Sequence, residues 1–122
     1  EAMMALSYTT SPAYHAIAEG DDTKAAAAFE EGHYMQIELA GKLAGTDSPA
    51  LADQFMAFIA EEGFQSVIPT TNWMYPAKTP ADGLPEGFDG LVQPAKSLIY
   101  APDEAKAARD EALAEWLEAL SN

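Results

Sequence analysis

Hydrophobic and polar positions along the chain predict both strands and helices. Residues 3–7 (MMALS) form a short apolar run before turn-forming residues, a pattern typical of a buried strand. From residue 33 to 39, a methionine, an isoleucine and a leucine alternate with more polar residues, which is the period of a half-buried strand. Segment 48–63 instead repeats apolar residues at helical spacing, after a Ser-Pro start and before a glycine. It predicts a helix.

Two further helices are indicated by their starting residues. Ser11 as the cap and Pro12 in the first helical position predict a short helix over 13–18 that closes near Gly20. Pro102 and two following acids open a last, amphipathic helix. Its apolar face consists of Ala105, Ala108, Ala112, Leu113, Trp116, Leu117 and Leu120.

The remaining segments are predicted as loops or short turns. Residues 21–31 are either a brief helix or an exposed loop, and 64–68 add a short helical turn. Residues 70–76 form a polar and aromatic loop. The proline- and glycine-rich segment 77–90 is predicted to be a surface excursion without regular structure.

The fold class predicted from this order is α/β, with few strands flanked by helices and a carboxyl-terminal amphipathic helix. Only two strands are evident, and a complete doubly wound sheet needs more. The chain also starts at Glu1 without an initiator methionine. We therefore expect residues 1–122 to be one unit excised from a larger α/β protein, with an apolar surface where the rest belonged.

Composition narrows the classes of function. Across 122 residues the net charge is -14, which disfavours binding to nucleic acid or to an anionic membrane but tolerates or attracts small cations. The chain has no cysteine, so it supplies neither a thiol nucleophile nor a thiolate metal site. No apolar run approaches the roughly 20 residues of a membrane span, so we expect no direct membrane insertion.

Aromatic residues beside hydroxyl groups suggest a small-molecule site. Tyr8 follows the first predicted strand, and Ser11 starts the next helix, which is where open α/β sheets bind ligands. Tyr14, and Trp73 in the later loop, add ring faces that attract a cation, and a helix amino terminus suits a phosphate. A flat, cationic and sometimes phosphorylated ligand would use all these features. The alternative is that Tyr8 and Trp73 are half-buried residues with solvated polar tips.

We predict no metal site. His15 and His33 are the only histidines, and they lack the helical spacing of a zinc pair. The acidic runs 21–22, 30–31 and 61–62 are adjacent in sequence, so we interpret them as solvated. No phosphate-binding loop, hydrolase elbow or catalytic triad is present in the sequence, which favours binding over catalysis.

Four blocks carry a family resemblance: LSYTTSPAYH (6–15), EGHYMQIELAGKLAG (31–45), LADQFMAFIAEEGFQSVIPTTNWMYPA (51–77) and LPEGFD (84–89). Together they resemble the carboxyl-terminal part of bacterial periplasmic thiamine-binding proteins. The blocks SYTTSPAY and IPTTNWMYP are the specific ones. The resemblance implies part of a lobe of a type II periplasmic binding protein, which is a solute-binding component and not an enzyme.

The resemblance also implies a ligand, partners and a location. The ligand would be thiamine, thiamine monophosphate or thiamine diphosphate, captured in the periplasm and delivered to the permease of an ABC importer, with no cofactor and with a signal peptide upstream. Tyr8, Tyr14 and Trp73 match the aromatic residues that contact thiamine in the family. Ser7, Thr10 and Asn72 are weaker candidates, as hydrogen-bonding neighbours. The opposite wall of the cleft is expected outside this chain.

Three other interpretations stay open at this point. A thiamine-degrading transferase shares the two-lobed scaffold but uses a catalytic cysteine, which would have to lie upstream. A ferric-ion or other solute receptor of the same class would ligate metal through tyrosines, usually adjacent ones. The piece itself is also expected to dimerise through an uncovered strand edge.

Overall fold

The computed structural model describes residues 4–121, which form short helices around a very small sheet. The helices are α1 (Ser11–Tyr14), a π-helix (His15–Glu19), α2 (Pro49–Ile59), α3 (Glu62–Gln65), α4 (Ile68–Thr71), a 3₁₀ helix (Glu86–Phe88) and α5 (Pro102–Leu120). The strands are β1 (His33–Tyr34) and β2 (Ser97–Leu98). The α/β class is thus confirmed.

The sheet is one parallel pair. His33 lies opposite Ser97, and Tyr34 lies opposite Leu98. The His33 N–H donates to the Lys96 carbonyl at 2.9 Å, and the Met35 N–H donates to the Leu98 carbonyl at 2.9 Å. The predicted alternation therefore begins a strand at the expected place, while β2 was not predicted.

Both strand predictions overestimate the length of regular structure. The alternating segment leaves the ladder after Tyr34, and Leu39 is 90% exposed. Residues 4–7 are not a strand, and Leu6 is exposed, while Met3 lies outside the described residues. A strand needs a hydrogen-bonded neighbour, and residues 4–121 provide none for these segments.

The helix predictions fare better because caps and prolines act locally. α1 begins at Ser11, so Thr10 and not Ser11 is the cap. The π-helix continues it to Glu19 and ends at Gly20, whose φ of 67° is the left-handed conformation that glycine adopts readily. In α5, the Glu104 carboxylate accepts from the Ala101 N–H at 3.0 Å.

The core lies where α1 meets the 3₁₀ helix. Ala13, Phe88 and Leu91 are its buried apolar residues, and Leu84 packs against them. Phe88 is only 3% exposed, so the prediction of a mere surface excursion over 77–90 is wrong. The glycines and prolines correctly indicated irregular backbone for the rest of this segment, but they indicated neither the 3₁₀ helix Glu86–Phe88 nor the burial of Phe88.

The longer helices contribute little to this core. α2 exposes Leu51, Phe55 and Phe58, and α5 exposes its predicted apolar face, including Trp116. Residues 21–31 are irregular, which resolves that alternative as a loop. Within residues 4–121, no helix combines the length and the apolar character needed to cross a membrane.

Candidate ligand-binding site

Two of the predicted aromatic residues meet in space. The ring centroids of Tyr14 and Trp73 are 5.1 Å apart, with an angle of 76° between their planes. This edge-to-face geometry is favourable for two aromatic rings. Tyr14 is 38% exposed and Trp73 is half-buried, so the pair forms part of an accessible surface.

The backbone presents Trp73 in an unusual conformation. Asn72 caps the carboxyl end of α4, and its N–H donates to the Ile68 carbonyl at 2.9 Å. The next residue, Trp73, has a φ of 56° and is the one non-glycine with positive φ in residues 4–121. This conformation is costly for a bulky side chain and recurs at binding sites. It turns the chain sharply where the indole meets Tyr14.

The Asn72 side chain is held by its neighbours. Its Nδ2 donates to the Glu38 carboxylate at 3.1 Å and lies 3.3 Å from the Met74 sulfur. The Glu38 contact ties the segment after β1 to the segment after α4. Asn72 therefore braces the backbone beside Trp73.

Tyr14 is also the centre of a polar cluster. Its ring lies 5.3 Å from that of His15, again edge to face. His15 Nδ1 lies 2.7 Å from the Glu19 carboxylate. Hydrogen bonding to Glu19 and the charge of that carboxylate raise the pKa of Tyr14. Hydrogen bonds from His15 and then Tyr14 lower the pKa of Glu19.

Tyr8 lies in the turn that leads into α1. Its N–H donates to Ser11 Oγ at 3.3 Å, and its carbonyl accepts from the Ser11 N–H at 3.1 Å. The hydroxyls of Ser7 and Ser11 lie 2.6 Å apart. Tyr8 is 54% exposed and has no ring partner within the described chain. The turn fixes its backbone and leaves its ring accessible.

The start of α1 does not offer the free amides expected for a phosphate. The Ser11 N–H is used by Tyr8, the Ala13 N–H donates to the Thr10 carbonyl at 3.0 Å, and Pro12 has no N–H. Thr10 is only 6% exposed. The expectation that the start of this helix suits a phosphate is therefore wrong, because these N–H groups already donate within the tight turn.

The six predicted site residues therefore have different surroundings. Tyr14 and Trp73 are in contact, Tyr8 and Ser7 lie in the adjoining turn, Asn72 supports Trp73, and Thr10 is buried. Tyr75, in contrast, packs edge to face on Phe88 at 5.6 Å. The roles of the six predicted residues in ligand binding stay predictions.

Sequence reasoning did not single out Glu19, nor His15 as its partner. Their spacing of four positions, on a helix that follows an aromatic candidate, was an available signal.

Within residues 4–121, no three acidic or histidine side chains are grouped to hold a metal ion. A shallow depression of about 450 Å³ lies elsewhere, at the start of α2. It is lined by Thr46, Ser48, Leu51, Ala52 and Phe55.

Comparison with known proteins identifies relatives of the whole chain. The thiamine-binding periplasmic protein of Escherichia coli strain K12 is 46% identical over 121 residues, which are 99% of this chain and 36% of the relative. The protein of the same name from Brucella abortus is 47% identical over the same shares. The chain is homologous to part of the thiamine-binding periplasmic proteins. No family model matches it.

A solved structure agrees with this homology. It is described as a periplasmic thiamin binding protein, has a TM-score of 0.82 and 46% sequence identity, and is matched over 95% of this chain and 36% of its own. The resemblance noted in the sequence is therefore confirmed, and so is the fold. The chain spans about a third of the length of the thiamine-binding periplasmic proteins that it matches.

Proposed function

We propose that the protein as encoded is a periplasmic solute-binding protein that captures thiamine, or thiamine mono- or diphosphate, and delivers it to the permease of an ABC importer. This chain supplies one wall of the ligand cleft. The observation that carries the proposal is the Tyr14–Trp73 pair, formed by two residues 59 positions apart along the chain. The relatives' names supply the ligand class.

The aromatic pair suits the chemistry of thiamine. Thiamine joins a flat aminopyrimidine to a positively charged thiazolium ring, and both rings stack well on aromatic faces. A cation on such a face gains electrostatic attraction in addition to buried apolar area. Tyr8 lies in the turn just before α1 with an exposed ring, and we propose it as a further part of this wall. The net charge of -14 adds a field that attracts a cation.

A phosphate on the ligand would find its partners elsewhere. The first amides of α1 are occupied, and the nearest carboxylate of the cluster, Glu19, would repel an anion. We therefore place recognition of the phosphate on the opposite wall, outside this chain. The aromatic wall is the part that all three thiamine forms share.

Replacement of Trp73 tests the proposal. We expect Trp73→Ala in the protein as encoded to weaken thiamine binding by about five- to 150-fold, since stacking on one aromatic ring is worth about 1–3 kcal/mol. Calorimetry measures the loss. Thiamine, but not its uncharged pyrimidine moiety, should also quench the fluorescence of Trp73.

Trp116 offers a matched control. It is exposed on α5, and Trp116→Ala makes the same change in size away from the aromatic pair. We expect its affinity to stay within about two-fold of the unsubstituted protein. Unchanged affinity in Trp73→Ala would refute the stacking role.

Two assays address the alternative functions. Incubation with thiamine and a nucleophilic base should release no free thiazole, whereas release would mean a thiamine-degrading transferase. Addition of ferric salt should give no coloured tyrosinate band. A band that Tyr8→Phe or Tyr14→Phe removes would favour an iron receptor over the thiamine assignment.

A further inference from the structure

The loop that carries Trp73 is held on both sides of that residue. On its amino side, Asn72 Nδ2 donates to the Glu38 carboxylate at 3.1 Å. On its carboxyl side, Tyr75 packs edge to face on the buried Phe88, with 5.6 Å between the ring centroids. The chain is therefore anchored to other segments directly before Trp73 and two positions after it.

The backbone of Trp73 needs such support. Its φ of 56° lies in the left-handed region, which is sterically costly for a bulky residue and persists only where the surrounding structure enforces it. A return to negative φ would rotate the chain at Trp73 and carry the indole away from the Tyr14 ring, whose centroid lies 5.1 Å from its own. The anchors of the loop therefore affect how often the aromatic pair is formed.

The anchor on the amino side connects two remote segments. Glu38 and Asn72 are 34 positions apart. Glu38 follows β1 and lies three positions after Met35, whose N–H donates to the Leu98 carbonyl at 2.9 Å. The backbone N–H of Asn72 donates to the Ile68 carbonyl of α4, also at 2.9 Å. The hydrogen bond between the two side chains thus joins the sheet to the end of α4.

We infer that Glu38 is a positioning residue of the aromatic wall, which acts through Asn72 to hold the Trp73 indole beside Tyr14. A carboxylate is a strong acceptor for an amide N–H. Without this hydrogen bond, a smaller share of the molecules presents the wall, and the apparent affinity for a ligand falls by the same factor. Glu38 needs no contact with the ligand for this role. The effect on thiamine rests on the proposed function.

Replacement of Glu38 by two different residues tests this role. Thiamine is titrated into the protein as encoded and into each variant. We expect Glu38→Ala to weaken binding about three- to ten-fold, as for the loss of one hydrogen bond. Glu38→Gln should stay within about two-fold, because its amide oxygen still accepts from Asn72. Glu115→Ala on α5, the same change away from the loop, should also stay within about two-fold.

The comparison of these variants separates the hydrogen bond from the charge. If Glu38→Gln weakened binding as much as Glu38→Ala does, the negative charge itself would attract the cationic ligand, and the inference would be overturned. Unchanged affinity in Glu38→Ala would overturn it as well.

An exchange of donor and acceptor gives a second test. Asn72→Asp places a carboxylate opposite Glu38 and should weaken binding about three- to ten-fold, although an added negative charge by itself attracts a cation. Combining Asn72→Asp with Glu38→Gln restores both the hydrogen bond and the original net charge, so the affinity should return to within about two-fold. A double variant as weak as Asn72→Asp would contradict the inference. This pair decides if Glu38→Ala does not fold.

A spectroscopic readout without ligand distinguishes this inference from the proposed function. In protein labelled with 5-fluorotryptophan, the ¹⁹F resonance of Trp73 is assigned by its loss in Trp73→Phe. Glu38→Ala should shift or broaden this resonance, whereas Glu38→Gln and Glu115→Ala should leave it in place. An unchanged resonance in Glu38→Ala would overturn the inference. The expected resonance pattern in a protein that does not bind thiamine would instead refute the proposed function alone.

Discussion

At the scale of single residues, Trp73 combines a costly backbone with an exposed ring. Its φ of 56° costs an L-residue about 1–2 kcal/mol, a penalty that glycine escapes. We therefore expect Trp73→Gly to be more stable than Trp73→Ala by about 1 kcal/mol, although both lose the ring. Urea unfolding of the protein as encoded measures the difference. A less stable glycine variant would mean that the conformation carries no strain.

The carboxyl group of Asp21 leads to a prediction about how stability depends on pH. Hydrogen bonds from the Thr23 hydroxyl and N–H lower the pKa of Asp21 to about 2. Because the folded pKa lies below the unfolded value of about 3.9, the stabilisation is complete above that value and is lost as the pH falls towards 2. Thr23→Val removes the hydroxyl and should raise the pKa of Asp21, as measured by a carboxyl NMR titration. Thr79→Val, a control far along the chain, should leave the pKa of Asp21 unchanged.

At the scale of elements, the small sheet depends on a glycine. A Cβ on Gly32 would lie 2.6 Å from the Lys96 carbonyl oxygen, and its φ of 111° is unsuited to other residues. Gly32→Ala should push β1 away from β2 and cost at least about 1–3 kcal/mol of stability. Denaturant unfolding checks this, with loss of amide protection at His33 and Met35 as the local readout.

Gly41 gives the matched control for that substitution. A Cβ there would have no neighbour within 4 Å, and its φ is not in the positive range. Gly41→Ala should stay within about 0.5 kcal/mol of the original. Similar losses in both variants would show that the close approach at Gly32 is unimportant.

The elements also show what the sequence determines locally. α2 and α5 were predictable because a proline start and helical spacing, with acids in the first turn of α5, act within one segment. The strand expected at 4–7 and the extension of β1 to Leu39 failed because a strand depends on a neighbour elsewhere in the chain. Phe88 was missed for the same reason: its burial comes from α1, which is remote in sequence.

In the candidate site, too, some features follow from local sequence and others depend on contacts between distant segments. Spacing alone placed Tyr8 and Tyr14 around a turn, and only the family resemblance joined them to Trp73. The contact between Tyr14 and Trp73 could not be read from periodicity, because it depends on where α4 ends relative to α1. The spacing of His15 and Glu19 would have indicated their pairing on a helix, whereas nothing in the sequence pattern indicates that this helix is a π-helix.

At the scale of the whole molecule, the surface is too large for a compact domain. A folded monomer of 13.0 kDa has an accessible surface of about 6,300 Å², whereas this chain exposes 9849 Å². The excess includes large apolar side chains of α2 and α5. At about 25 cal/mol per Å², so much uncovered apolar area provides a strong tendency to associate.

The 122-residue chain by itself should therefore self-associate and bind a hydrophobic dye. Light scattering should give a mass above 13.0 kDa that rises with concentration, because Leu51, Phe55 and Phe58 lie exposed along α2. Phe55→Ser should lower both the dye signal and the mass, since it removes a ring from this face. Thr79→Ser, at an exposed position with no apolar ring, should change neither. A dye-free monomer at high concentration would contradict the prediction, because it would require the apolar residues of α2 and α5 to cover one another.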